Sequence, residues 1–269
     1  MKRILLPTDF SENSKNAIRY ALELFKGVPC SFFVLNVQKP SEYLTEDILT
    51  EPTSGTIYNA IAMDNKKQLE ALVVELSETS ASEPFSFEGL FDFDNLADAM
   101  QQAINAKSIE LVVMGTNGAT DAEEVIFGSN TLQVIRNVQC PILAIPEGYH
   151  FESLSKILFT YKGEDHFHPQ AFQPLHSIIN GRKVSLEVLC MGHHESLPGV
   201  DALEVFSEIT YHYMEGMGTA EAVNAYEQLL PVQMHVVFMK PKSLFQRIFS
   251  GSELSKISYQ SRIPLLVLK

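Results

Sequence analysis

Three glycines, the serine and asparagine beside the last of them, and one early aspartate are the residues of this chain whose types and spacing could do chemistry. Gly115-Thr116-Asn117-Gly118 is followed, after nine residues, by Gly128-Ser129-Asn130. Glycine takes positive φ and lets backbone approach a ligand closely. The N–H groups gathered at a helix start favour an anion, and Ser129 and Asn130 add side-chain donors. A phosphate is the guest that suits such a layout. The same glycines could instead serve only a turn and the approach to a helix, so the surrounding elements must decide.

The apolar run Ile109-Glu110-Leu111-Val112-Val113-Met114 ahead of Gly115 reads as a buried parallel strand, and residues 129–138 carry a helical period. Through the first half, strands are expected at 2–7, 31–37, 85–91, 109–114 and 141–145. Helices are expected at 11–26, 57–79, 94–107 and 129–138, with Asp94 as a helix N-cap. This alternation predicts a parallel α/β sheet with right-handed crossovers, in which ligands sit beyond the carboxyl ends of the strands. Asp9, Val37 and Gly115 all fall at such ends. Residues 40–56 are polar and read as a loop over them.

The second half repeats the plan. Lys156-Ile157-Leu158-Phe159-Thr160 echoes residues 3–7, Ser185-Leu186-Glu187-Val188-Leu189-Cys190 echoes 31–36, and His235-Val236-Val237-Phe238-Met239 echoes 110–114. Gly251-Ser252 and Ile263-Pro264-Leu265-Leu266-Val267-Leu268 echo Gly128-Ser129 and 140–145. A repeat this long predicts two tandem domains, 1–147 and 154–269, joined by a short segment near 146–155. The repeat has lost the glycines. Lys162 stands near the place of Asp9, and Lys240-Pro241-Lys242-Ser243 takes the place of Gly115 and Gly118. No phosphate site of the same kind is expected there. Pro174 is expected to interrupt the first helix of this half, and its second helix to shrink to about 200–208.

The opening Lys2-Arg3-Ile4-Leu5-Leu6-Pro7-Thr8-Asp9-Phe10-Ser11, the strand end Phe33-Val34-Leu35-Asn36-Val37, the Gly-x2-Gly-x9-Gly-Ser-Asn pattern and Cys140-Pro141-Ile142-Leu143-Ala144-Ile145-Pro146 occur in that order. Together they resemble the universal stress protein family over about the first 146 residues, and the glycine pattern resembles the signature of its ATP-binding branch. The resemblance implies a Rossmann-like, adenine-nucleotide α-hydrolase-like fold with two open five-stranded parallel sheets paired as a pseudo-dimer. It implies ATP or another adenine nucleotide, with or without Mg2+, in the first domain. Asp9 and Val37 would hold the adenosine end, with Pro7 and Thr8 shaping the wall. Met114 and Gly115 would flank the ribose and phosphates, which Gly118, Gly128, Ser129 and Asn130 would cradle. It further implies a stress-response regulatory role and pairing of such chains as a homodimer. One departure stands out: residues 119–127 carry Asp121, Glu123 and Glu124 where relatives often carry basic residues. Each acid would repel a triphosphate by roughly a kcal/mol if partly screened, unless a divalent ion intervenes or the acids point to solvent.

All eight histidines lie at or after position 150. His166 and His168 follow the first strand of the second half, and His193 and His194 follow its second strand. The two loops share a carboxyl edge, where imidazole and carboxylate would suit zinc; surface histidines in polar loops are the simpler reading. His176 and His235 read as structural. Nothing demands catalysis: there is no GxxxxGK[ST] loop, and the first half lacks histidine before position 150. Binding without turnover is the leading expectation. Slow ATP hydrolysis or autophosphorylation is the alternative, and a nucleotide-free scaffold whose second domain holds a metal or small apolar ligand is the third. The net charge of -13 argues against nucleic acid as a partner. No apolar run reaches the length of a membrane span, and no signal segment opens the chain. Three cysteines without a CxxC pair suit the reducing cytoplasm.

Overall fold

A computed structural model of the chain describes residues 1–38, 54–116, 128–162, 169–192, 203–239 and 262–269. The first half runs β1 (Lys2–Pro7), α1 (Glu12–Leu24), β2 (Cys30–Val37), α2 (Ser54–Thr79), β3 (Phe85–Asp92), α3 (Leu96–Lys107), β4 (Leu111–Gly115), α4 (Ser129–Asn137) and β5 (Ile142–Ile145). The second runs β6 (Lys156–Lys162), a 3₁₀ turn (Pro169–Phe172), α5 (Gln173–Ile179), β7 (Ser185–Met191), β8 (Glu208–Met214), α6 (Thr219–Leu229), β9 (Met234–Phe238) and β10 (Leu265–Leu268).

The strands form one sheet in the order β3-β2-β1-β4-β5-β10-β9-β6-β7-β8, which reads alike from either edge. All neighbours are parallel except β5 and β10, which pair antiparallel through Leu265↔Ala144, Leu266↔Leu143 and Val267↔Ile142. The two five-stranded halves thus meet as one ten-stranded sheet. The physical reason lies in the end strands. Ile142-Leu143-Ala144-Ile145 and Leu265-Leu266-Val267-Leu268 are wholly apolar, and each would otherwise leave an open, hydrophobic edge.

Alternate residues of each strand feed two cores. Ile4, Leu6, Phe32 and Val34 face α1 and α2, and join Ile157, Phe159, Leu175 and Ile178 of the second half. Leu5, Leu35, Val112 and Met114 face α3 and α4, and join Leu158, Leu189 and Val223. Both cores cross the join, so the halves are one packed body. Among the described residues no helix is long and apolar enough to cross a membrane.

Three local expectations need correction. Asn95, not Asp94, caps α3: its extended backbone aims its side-chain oxygen at the Asp98 N–H, while Asp94 accepts from the Asn95 N–H at 2.7 Å and from Gln102 at 3.0 Å. Pro174 does not interrupt a helix but lies in the first turn of α5, where no intrahelical N–H is needed. Residues 203–207 are turn and bend, and Glu208 opens β8, so the helix expected at 200–208 does not occupy its described part.

Candidate functional site

Pro7, Val37 and Gly115 end β1, β2 and β4, which lie side by side and parallel. The order of strand addition reverses between β1 and β4, since β2 lies on one side of β1 and β4 on the other. This is the switch point at which open α/β sheets hold ligands. The structure therefore brings Pro7, Thr8, Asp9, Val37, Met114, Gly115, Gly128, Ser129 and Asn130 to one edge. Gly118 lies outside the described residues, as do the acidic side chains of 119–127 and the loop 40–53.

The turn after β1 is built from its own side chains. Thr8 Oγ1 accepts from the Phe10 N–H at 3.0 Å and contacts Ser14 Oγ at 3.0 Å. Asp9 Oδ1 accepts from the Ser11 N–H at 3.1 Å and from Ser11 Oγ. Ser11 in turn caps α1 by accepting from the Ser14 N–H at 3.2 Å. Asp9 is therefore exposed and braces the cap; it is not the cap itself. Both bonds fall on Oδ1, so Oδ2 is open to a ligand donor. Phe10 sits at φ 64, a left-handed conformation that costs an L-residue about 1–2 kcal/mol. Three side-chain bonds to this four-residue turn hold it there. Asn36, on β2, donates to the Thr8 carbonyl at 2.8 Å and ties the turn to the neighbouring strand.

On the β4 side, Thr116 N–H donates to the Ile145 carbonyl at 3.0 Å, and Gly128 N–H donates to the Thr116 carbonyl at 2.7 Å. Thr131 Oγ1 returns from α4 to the Gly115 and Thr116 carbonyls at 3.1 and 2.8 Å. The start of α4 is thus pinned against the end of β4. Gly128 is its N-cap and brings no side-chain acceptor, so the first-turn N–H groups that follow have no intrahelical or capping partner. They are the anion-seeking feature of this edge. Gly128 itself spends its N–H on Thr116, so its contribution is the missing side chain rather than a donor.

Gly115 has a local cause that sequence reading missed. A Cβ built on it would lie 2.8 Å from the side-chain amide of Asn13, in the first turn of α1. The chain's own packing therefore favours glycine there, with or without a ligand, since any side chain would make the Asn13 amide turn aside. Val37 is half-buried and Met114 is buried.

The second half carries a different set of groups. His166, His168, His193 and His194 lie outside the described residues. Among those described, no three metal-ligating side chains converge. A buried polar cluster that sequence reading overlooked lies on the α6 side of the sheet. Glu187 accepts from Lys156 Nζ at 3.1 Å and from His212 Nε2 at 2.8 Å, and Tyr226 OH approaches His212 Nε2 at 3.3 Å. Burial would raise the Glu187 carboxyl, but the hydrogen bonds from His212 and Lys156 outweigh it and hold it below the usual carboxylate range. The available signal was a lone glutamate inside the apolar run of β7. His235 is fully buried against Thr160 Oγ1 at 2.7 Å, and burial pushes its imidazole down to about 3. It is a neutral core residue. Cys30, Cys140 and Cys190 are buried free thiols, and burial raises all three, Cys140 to about 12, so none is a nucleophile at neutral pH.

The model of the universal stress protein family matches residues 1–146. The chain belongs to the universal stress protein family. It is 25% identical over 146 residues to the universal stress protein MJ0531 of Methanocaldococcus jannaschii, covering 54% of this chain and 81% of the relative. To MJ0577 of the same organism it is 23% identical over 157 residues, covering 54% and 94%. The crystal structure of a universal stress protein from Archaeoglobus fulgidus superposes with a TM-score of 0.68 at 17% identity, covering 99% of this chain and 96% of that one. The last likeness extends the family fold across both halves of this universal stress protein.

Proposed function

We propose that this universal stress protein binds an adenine nucleotide, ATP in the first instance, at the carboxyl edge of β2, β1 and β4, and that its output is regulatory. The observation that carries the reading is the uncapped N-terminus of α4, pinned to the end of β4 beside β1 at the switch point. Its free N–H groups, with Ser129 and Asn130, suit phosphate oxygens. Gly118 belongs to the same motif. The exposed Asp9, its Oδ2 unengaged, suits a hydroxyl or amino donor of the nucleoside, with Pro7, Thr8, Val37 and Met114 as the wall. Gly115 keeps backbone low at the edge while making room for Asn13. Mg2+ would arrive on the phosphates. The mirrored strand order supports a division into domains 1–147 and 154–269, with the second domain lacking the glycine motif. Hydrolysis is not required by any group at this edge, and a cytoplasmic, homodimeric protein is consistent with the buried free thiols and family likeness.

Isothermal titration with ATP and Mg2+ tests this. Binding is expected, and Asp9→Ala should weaken it at least tenfold, since a charged partner of a ligand donor is worth about 1.5–3 kcal/mol. Absence of heat at millimolar ATP would leave the scaffold reading in its place. Phosphate release followed over hours then separates a binder from a slow ATPase.

A further inference from the structure

The helix α1 starts at the proposed nucleotide edge and ends against the second half. At thirteen residues it is a rigid rod of about 20 Å. It is gripped at four levels. Asn13 in the first turn lies against Gly115. One turn on, Asn16 Nδ2 donates to the Tyr149 carbonyl, in the segment that joins the halves, at 3.0 Å. The Tyr20 ring meets Tyr149 and Phe151 of that segment at 6.1 and 5.4 Å between centroids. At the far end the Arg182 Nη2 donates to the carbonyl of Leu24, the last residue of α1, at 2.6 Å.

Arg182 does more than cap one helix. Its Nη1 donates at 2.6 Å to the carbonyl of Ile178, in the last turn of α5. In the repeat, α5 stands where α1 stands. One guanidinium therefore bridges the carboxyl ends of the two corresponding helices. Each end carries roughly half a negative charge, and two such ends brought together repel unless a cation lies between them. The other helix of the edge is held in a similar way. Lys269 Nζ, just after β10, donates to the Ile135 carbonyl near the end of α4. Both helices whose first turns border the nucleotide edge are thus fastened at their far ends by cations of the second half.

We propose that Arg182 is a positioning residue for the nucleotide edge: through the rod of α1 it sets the attitude of the 8–14 turn, so that occupancy of the edge and seating of the second half on α1 are coupled. This rests on the nucleotide reading above. By linkage the coupling runs both ways. Nucleotide held at the first turn tightens the grip on Leu24, and loss of that grip loosens the turn. The degenerate second half has a role on this account: it binds no nucleotide in the family manner but supplies the cations that hold the helices of the half that does.

Hydrogen exchange on the full chain, with and without ATP and Mg2+, tests the proposal in Arg182→Met and Arg182→Lys proteins. His212→Ala, which loosens the second half away from α1, serves as a stability control. Without nucleotide, Arg182→Met should speed exchange of the 14–18 amides severalfold beyond any fall in global stability, Arg182→Lys should recover most of the protection, and His212→Ala should leave those amides unchanged. With ATP, the wild-type chain should gain protection at 149–151 and 176–180 as well as at the edge. Arg182→Met should lose that distant protection and bind ATP about fivefold more weakly. If Arg182→Met leaves the 14–18 amides as in wild type, the coupling is overturned whatever ATP does. If those amides respond but no variant or wild type binds ATP, the strut stands and the nucleotide reading falls. Wild-type binding with no distant protection also overturns the coupling.

Discussion

Two places that correspond in the repeat are filled in opposite ways. Ile4 pairs with Phe32 and Leu111, while Ile157 pairs with Leu186 and Met234. Phe33 of β2 therefore corresponds to Glu187 of β7, and Leu90, opposite Leu35, corresponds to His212, opposite Leu189. In the first half the site is an aromatic ring with the Lys107 ammonium 5.7 Å above it, itself paired to Glu88 at 2.6 Å. In the second it is a carboxylate ringed by Lys156, His212 and Tyr226. By the same register Val112 corresponds to His235, which corrects by two places the sequence alignment of His235 with Glu110. The shared backbone needs neither version, since each half folds around its own. A buried ionic group costs desolvation that an apolar side chain avoids, so the fold alone does not call for the polar filling. The contrast matches the carboxyl edge proposed for nucleotide, where the first half keeps an uncapped helix start and the second has side chains in place of glycine.

Exchanging the two fillings should break the symmetry most visibly. Phe33→Glu would set a buried carboxylate directly opposite Glu88, its register partner, and remove a core ring. A loss of about 3–5 kcal/mol in urea unfolding is expected. The reverse exchange, Glu187→Leu together with His212→Leu, should stay within about 1 kcal/mol of wild type or exceed it. Equal losses in the two directions would mean that the halves differ in packing rather than in the burial of charge.

A smaller effect separates the halves by pH. The His235 imidazole takes up a proton near 6.5 when unfolded but only near 3 when folded. Its stabilising contribution is complete above pH 6.5 and falls as pH drops toward 3. The slope approaches 1.4 kcal/mol per unit, or roughly 1.6 kcal/mol between pH 6.5 and 5; Glu227, whose carboxyl burial raises to about 7, titrates in the same window with the opposite sign, so the slope due to His235 is the part that its replacement removes. His235→Gln, measured by thermal unfolding over that window, should flatten this part of the acid slope. Val112, in the corresponding place, contributes no such slope. Glu187, held below the usual carboxylate range, adds a loss in the same direction only at lower pH.

The strands were legible in the sequence because buried parallel strands are apolar, and β4, β5 and the part of β1 after Lys2 and Arg3 are such runs. The edge was legible because strand ends follow from the strands. What escaped were relations between distant residues. Asn13 and Gly115 stand 102 positions apart (115 − 13) and meet only once α1 packs across β4. Glu187 and His212 belong to different strands and read separately as an odd polar residue in each. The N-cap of α3 missed by one residue because Asp94 and Asn95 are equally good acceptors, and only the backbone angles at Asn95 decide between them. Pro174 was misread because proline breaks a helix interior yet fits a first turn, and which applied depended on where α5 began.

The finest distinction concerns Gly115, whose loss in the repeat points to a ligand while the geometry points to Asn13. Gly115→Ala should cost about 1 kcal/mol, the low end for overpacking, because the Asn13 amide must turn aside. Adding Asn13→Ala to it gives the partner that decides the cause. If the glycine serves packing, the double variant regains what Gly115→Ala loses beyond the cost of Asn13→Ala alone, and the coupling appears as a non-additive term in the cycle. ATP titration of the same double variant then reads the ligand's share directly. Restored stability with restored affinity makes Gly115 a packing glycine that happens to border the edge. Restored stability with affinity still lost would mean that the added methyl meets the nucleotide itself, and that one glycine answers to both neighbours.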